Sequence, residues 1–153
     1  MPRQDSFSYT VQARSEPRVA LRWLADLTCQ GELHPLIVRV RQEPPRPGAL
    51  ASWTVTDRLA WGPFRFPASY AVDTLEMSAR SLVMRARQWP ATTVLNRTTI
   101  EAEADGLVRI DVEIALSAPA PLFRYAFRQA RAAHLVLAAR LGPALPAGPA
   151  DGQ

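Results

Sequence analysis

From Pro121 to Leu141 the sequence carries one long amphipathic helical pattern, placed after roughly eighty residues that read almost wholly as strands and turns. That order leaves few architectures open. A helix with one apolar face, following a sheet that must cover one of its own, belongs over that sheet. At about 100° per residue, Leu122, Phe123, Ala126, Phe127, Ala130, Ala133, His134, Leu137 and Leu141 fall on one face, with Arg124, Arg128 and Arg131 opposite. The middle of the apolar face is therefore alanine. Side chains this small either let helix and sheet approach closely or leave a void between them, so the sequence poses a choice between a filled core and a ligand pocket.

The strands can be placed by alternation. Ser6 to Ala13 puts Phe7, Tyr9, Val11 and Ala13 on one side, and a helix follows, with Ser15 as its cap and Pro17 in its first turn. Val19, Ala20, Trp23, Leu24 and Leu27 form its apolar stripe, and Gln30-Gly31 closes it. Leu36 to Val40 reads as a strand with Leu36, Val38 and Val40 on one face, ended by the proline-rich turn from Glu43 to Gly48. Leu50 to Leu59 and Phe64 to Val72 alternate on either side of Gly62-Pro63, the first with Ala51, Trp53, Val55 and Asp57 on one face. Ser81 to Trp89 and Thr93 to Ala104 flank Pro90, and Asp105-Gly106 marks a tight hairpin into Leu107 to Leu116. Pro119 and Pro121 open the final helix and Gly142-Pro143 is expected to stop it. A single domain over residues 6–142 results, with 143–153, rich in Ala, Pro and Gly, expected to be a disordered tail.

Composition narrows the function classes. No apolar run approaches the roughly 20 residues of a membrane span, so stable membrane insertion is not expected. The first residues lack a charged start followed by an apolar core, which points to a cytoplasmic protein. Cys29 is the lone cysteine and reads as a small buried hydrophobe. All 18 basic residues are arginine, giving a net charge of +4, yet they are scattered from Arg3 to Arg140 without a cluster, which argues against a nucleic-acid partner. Neither a glycine-rich phosphate loop nor a Gly-x-Ser-x-Gly elbow is visible, and Cys29, His34 and His134 lack metal-site spacing. No metal and no cofactor are expected.

The strand Phe7-Ser8-Tyr9-Thr10-Val11 leading into Ser15-Glu16-Pro17-Arg18-Val19, the exit His34-Pro35-Leu36 and the mid-sheet turn Trp61-Gly62-Pro63 come in a suggestive order. In that order and at this length the chain resembles the START-like superfamily, also called Bet v 1-like or SRPBCC, which includes polyketide cyclases and lipid-transfer domains. The resemblance covers about Ser6 to Leu141 and lies in the order of elements, not in any motif. It implies an α+β helix-grip fold: a curved antiparallel sheet of about seven strands with the long C-terminal helix over its concave face. It also implies a cavity between sheet and helix that holds a hydrophobic small molecule or lipid, as in a carrier or sequestering protein. The alternative is a polyketide cyclase or aromatase-type enzyme acting in the same cavity. The resemblance carries no particular catalytic residue onto this chain, so a binding protein is favoured over an enzyme and the oligomeric state stays open.

With the strand faces assigned as above, the pocket side gathers Trp53, Phe66, Tyr70, Met84, Asn96 and Thr98, joined from the helix by Ala126, Ala130, Ala133 and Leu137. Taken alone, this pattern fits a packed core better; the resemblance turns it toward a pocket. Asn96 interrupts an inward apolar set, and its amide either orients a ligand or bonds a neighbouring backbone group. Tyr70 could do either job, as could Asp57 if its strand keeps phase. His34 and His134 are the only histidines, so an acid or base acting near neutral pH falls most naturally to one of them. His134 sits at the edge of the apolar helix face, within reach of a cavity, whereas His34, before a proline at a helix end, suits a capping role or one supporting other site residues better than catalysis. The weak catalytic candidates are thus His134, Asn96 and Tyr70.

Overall fold

The computed structural model describes residues 2–61 and 64–146, and for 59–61 and 64–66 the backbone alone. Seven strands form one antiparallel sheet: β1 (Pro2–Arg14), β2 (Ile37–Glu43), β3 (Ala51–Trp61), β4 (Phe64–Met77), β5 (Ser81–Gln88), β6 (Thr92–Ala102) and β7 (Leu107–Pro119). Their spatial order is β1-β7-β6-β5-β4-β3-β2. Two short helices, α1 (Pro17–Ala25) and α2 (Leu27–Gly31), carry the chain from β1 to the opposite edge, and a meander returns it to β1's neighbour. The long helix α3 (Ala120–Ala144) then crosses β1 and β7. This is the helix-grip arrangement, and β-bulges between Ile37 and Arg39 in β2 and between Thr74 and Glu76 in β4 help to bend the sheet.

Alternation does most of the placing. In β7, Val108, Ile110, Val112, Ile114, Leu116 and Ala118 are buried while the residues between them are not, and Val11 and Ala13 of β1 and Ile100 of β6 join the same side. Ala20, Leu21, Leu24 and Leu27 close that core from α1 and α2, and Leu141 and Leu145 do so from the end of α3. At the hairpin into β7, Asp105 and Gly106 both take positive φ, 64° and 73°, and Leu107 N–H closes the turn on the Ala104 carbonyl. That is the type I′ pattern expected of an Asp-Gly pair.

Several boundaries differ from those read off the sequence. β1 begins at Pro2, not Ser6, because β7 runs on to Pro119 and pairs with it throughout; Arg3 to Asp5 show no alternation to betray this. Ser15 does not cap α1. It is buried, and its N–H bonds the Gly106 carbonyl, tying the helix start to the β6–β7 hairpin, while Glu16 holds the cap position without a side-chain bond. The helix breaks at Asp26 instead of Gln30-Gly31, since Asp26 Oδ1 accepts from the Thr28 N–H at 3.0 Å and starts α2. In β2 the bulge reverses the phase, so Val38 points out at 54% exposure while Ile37 and Val40 pack inward.

Gly142-Pro143 does not stop α3. The helix runs to Ala144 with Pro143 in its last turn, because Leu141 and Leu145 both reach the core. Gly142 permits the approach: a Cβ there would lie 3.2 Å from the Gln12 carbonyl of β1. Residues 143–146, assigned to the tail from sequence, are therefore held to the domain, and the remainder of that expected tail, 147–153, lies outside the described residues, as does Gly62-Pro63. No described helix is long and apolar enough to cross a membrane.

Candidate functional site

Under the N-terminal half of α3 the helix and sheet do not close. A cavity of about 190 Å³ remains. From the helix, Ala126, Ala130 and Ala133 form its roof with Tyr125, Gln129 and His134. Its floor is Asp57 of β3, Tyr70 of β4, Ala86 and Gln88 of β5, Thr92 and Val94 of β6, and Leu116 of β7; His34 and Leu36, entering β2, close one side. The small side chains of the helix face create the space: larger ones packed at the same spacing would meet Val94 and Leu116.

Two polar pairs face this space. Asp57 and Tyr70 lie diagonally across the β3–β4 ladder, and the Tyr70 hydroxyl donates to Asp57 Oδ1 at 3.2 Å. Burial pushes the Asp57 carboxyl up to about 6, against the pull of that hydrogen bond. Tyr70 is raised well above the usual phenol range, by burial first and then by the Asp57 charge, and stays protonated. On the other side the rings of His34 and His134 meet edge to face, 5.8 Å between centroids.

Both imidazoles are neutral at ordinary pH. Burial pulls His34 down to about 4 and, with the His34 charge adding to it, pulls His134 down to about 3. The Leu36 N–H donates to His34 Nδ1 at 3.3 Å, so the His34 ring carries its own proton on Nε2. The Tyr9 hydroxyl of β1, which burial keeps protonated, lies 3.2 Å from His134 Nδ1 and pairs with either tautomer of that ring, donating to a bare Nδ1 or accepting from Nδ1–H.

The residues singled out from sequence divide into two groups. Tyr70, Ala126, Ala130, Ala133 and His134 are brought together at the cavity wall. Trp53, Met84, Thr98 and Leu137 are buried elsewhere in the interior, away from that wall. Asn96 is half-buried opposite Met84 and Ile114, and its Oδ1 accepts from the Thr98 hydroxyl at 2.8 Å, so one side of the amide is held by a side chain two residues away. The Phe66 side chain lies outside the described residues. His34 was assigned a capping role from sequence; it does hold a local backbone bond, but its ring also lines the cavity. Gln88, Gln129 and Tyr125 were missed because each sits at the polar border of an amphipathic pattern, where periodicity says only "solvent". Cys29 is half-buried and its thiol is raised, by desolvation first and then by Asp26 and Glu32. Among the described residues no group of three or more His, Cys, Asp or Glu side chains is placed to hold a metal ion.

No family model matches this sequence, and neither does any curated protein. Solved structures match its fold. Ara h 8.0201 aligns at a TM-score of 0.60 and 12% identity, over 90% of this chain and 97% of that one. The Zhui aromatase/cyclase from Streptomyces sp. R1128 aligns at 0.64 and 13%, over 93% and 94%. The di-domain ARO/CYC StfQ from the steffimycin biosynthetic pathway aligns at 0.70 and 13%, over 93% of this chain, which spans about half (50%) of that protein. At such identities the likeness is one of fold, and the fold is the START-like, Bet v 1-like helix grip.

Proposed function

We propose that this protein binds a small hydrophobic molecule in the cavity beneath α3, as a carrier or sequestering protein. The supporting observation is the space itself: an apolar volume of about 190 Å³ under the alanine face, with a few convergent polar groups, is the usual composition of a ligand site. Its size suits a ligand of one or two rings, since a dry engineered cavity of about 150 Å³ takes benzene. A lipid chain would need the helix to lift. The likeness in fold to proteins described as aromatase/cyclases adds to this reading without identifying the ligand.

Filling the space tests it. Ala130→Leu adds three heavy atoms at the roof and is expected to weaken binding of an apolar aromatic ligand at least tenfold, roughly 1.4 kcal/mol, while the protein still unfolds cooperatively. Because this change could also disturb packing against Leu116 and Phe123, native mass spectrometry of the unaltered protein from its own host is the companion measurement. A co-purified apolar ligand supports the reading. A ligand-free protein whose affinity is untouched by Ala130→Leu would sink it.

One observation favours a second reading, that of a cyclase or aromatase-type enzyme: five titratable side chains, Asp57, Tyr70, Tyr125, His34 and His134, line one small cavity. Such a site could hold a flexible chain in a reactive pose and exchange protons with it. Chemical conversion of the bound ligand, lost in Tyr70→Phe with binding retained, is what that reading requires.

A further inference from the structure

Although the chain carries 18 basic residues, all arginine, none stands at the described wall of the cavity. The ionisable groups there are one carboxyl on β3, Asp57; one phenol on β4, Tyr70; the His34 ring before β2; and Tyr125 and His134 on α3, with Tyr9 of β1 behind His134. Among the described residues, Asp57 receives a hydrogen bond at Oδ1, from Tyr70, and none at Oδ2. The two histidines carry no charge at neutral pH, and each neutral ring at the cavity wall keeps one N–H.

We propose that the cavity selects by charge: it takes small aromatic molecules that bring a neutral hydroxyl to Asp57 and rejects carboxylates, fatty acids among them. This rests on the ligand-binding reading above. An entering anion sheds its water, meets no cation among the described residues of the wall, and faces the Asp57 carboxylate across a poorly screened space. A phenol or enol instead supplies the donor that Oδ2 lacks, while its own oxygen can accept from an imidazole N–H. Selectivity thus comes from a repulsive element as much as from an attractive one.

Two probes with one bicyclic skeleton separate the cases: 2-naphthol and 2-naphthoate, titrated calorimetrically near pH 7.5, where the first is neutral and the second an anion. Naphthol is expected to bind at least roughly tenfold more tightly. Asp57→Asn should narrow that gap by restoring naphthoate binding. So should lowering the pH of the unaltered protein to about 5, below the Asp57 value of about 6 yet above the His34 and His134 values of about 4 and about 3. Equal affinity for the two probes, or a gap that neither change moves, overturns charge selection alone. Binding of neither probe overturns the ligand-binding reading and this inference with it.

Discussion

Two aspartates on neighbouring strands show what separates a structural carboxylate from one available to a ligand. Asp73 of β4 lies on the convex side of the sheet, 2% exposed, opposite Ser52. Its oxygens are fully answered: Ser52 Oγ donates at 2.7 Å, Arg46 at 2.8 Å and Arg87 at 3.0 Å. Arg46 also bonds the Trp53 carbonyl, and its N–H the Ser52 hydroxyl, which pins the proline-rich loop over β3 and β4. Desolvation raises this carboxyl, but the Ser52 bond and the two guanidiniums outweigh it and hold it below the usual range. Asp57 of β3 lies on the concave side, hydrogen-bonded to the Tyr70 phenol, and is pushed up to about 6. Asp73 is fully buried and Asp57 partly so, and only the first has partners in the fold at both oxygens among the described residues.

Breaking the satisfied site should cost the most. Asp73→Ala leaves two arginines facing each other and releases the loop, so a loss of roughly 2–3 kcal/mol in denaturant unfolding is expected, at the low end for a buried pair because both arginines reach solvent. Asp57→Asn should act in the opposite direction, stabilising by about 1–2 kcal/mol near pH 8, since it removes an under-partnered charge while keeping an acceptor for Tyr70. The pH profiles should also have opposite signs. Asp57, raised in the folded state, contributes stability fully present below 3.8 and lost as pH rises through about 6. Asp73, lowered in the folded state, contributes stability present above 3.8 and lost as pH falls through its depressed folded value. If both variants respond alike to pH, the contrast between the two sites is wrong.

The same contrast marks what could be read from the chain. The strand faces, the Asp105-Gly106 turn and the long helix were legible because each is a periodic or local signal: the alternation in β7 and the alanine-centred face of α3 need no knowledge of their partners. The cavity was legible only as a possibility, because Ala126, Ala130 and Ala133 are equally compatible with close packing. Illegible were contacts between residues far apart in sequence. Arg46 with Asp73, and His34 with His134, depend on loops whose course no period encodes, and one bulge in β2 turned Val38 from a core residue into an exposed one. Asn96 stands out in sequence for being polar on an inward strand face, but the bond its Oδ1 takes from Thr98, two residues on, has no periodic signal.

A smaller effect sharpens the comparison at the other wall, where the groups are neutral. Tyr9 and His134 bond across β1 and α3 at 3.2 Å, with Phe7 and Phe127 packed nearby, so the pair is partly shielded and, unlike Asp73, carries no charge. Tyr9→Phe keeps the ring and removes the hydroxyl that bonds His134 Nδ1. The expected cost is about 1 kcal/mol, the ordinary net worth of a buried neutral hydrogen bond, with little dependence on pH from 6 upward, since burial and the neighbouring His34 keep His134 near 3. A merely structural role for the phenol would end there. If Tyr9 also fixes the tautomer, ring-nitrogen NMR shifts of His134 should move from a single form toward a mixture in the variant, and the cavity would lose an oriented ring without losing any volume. An unchanged tautomer would instead assign that control to the packing of His34 against the ring.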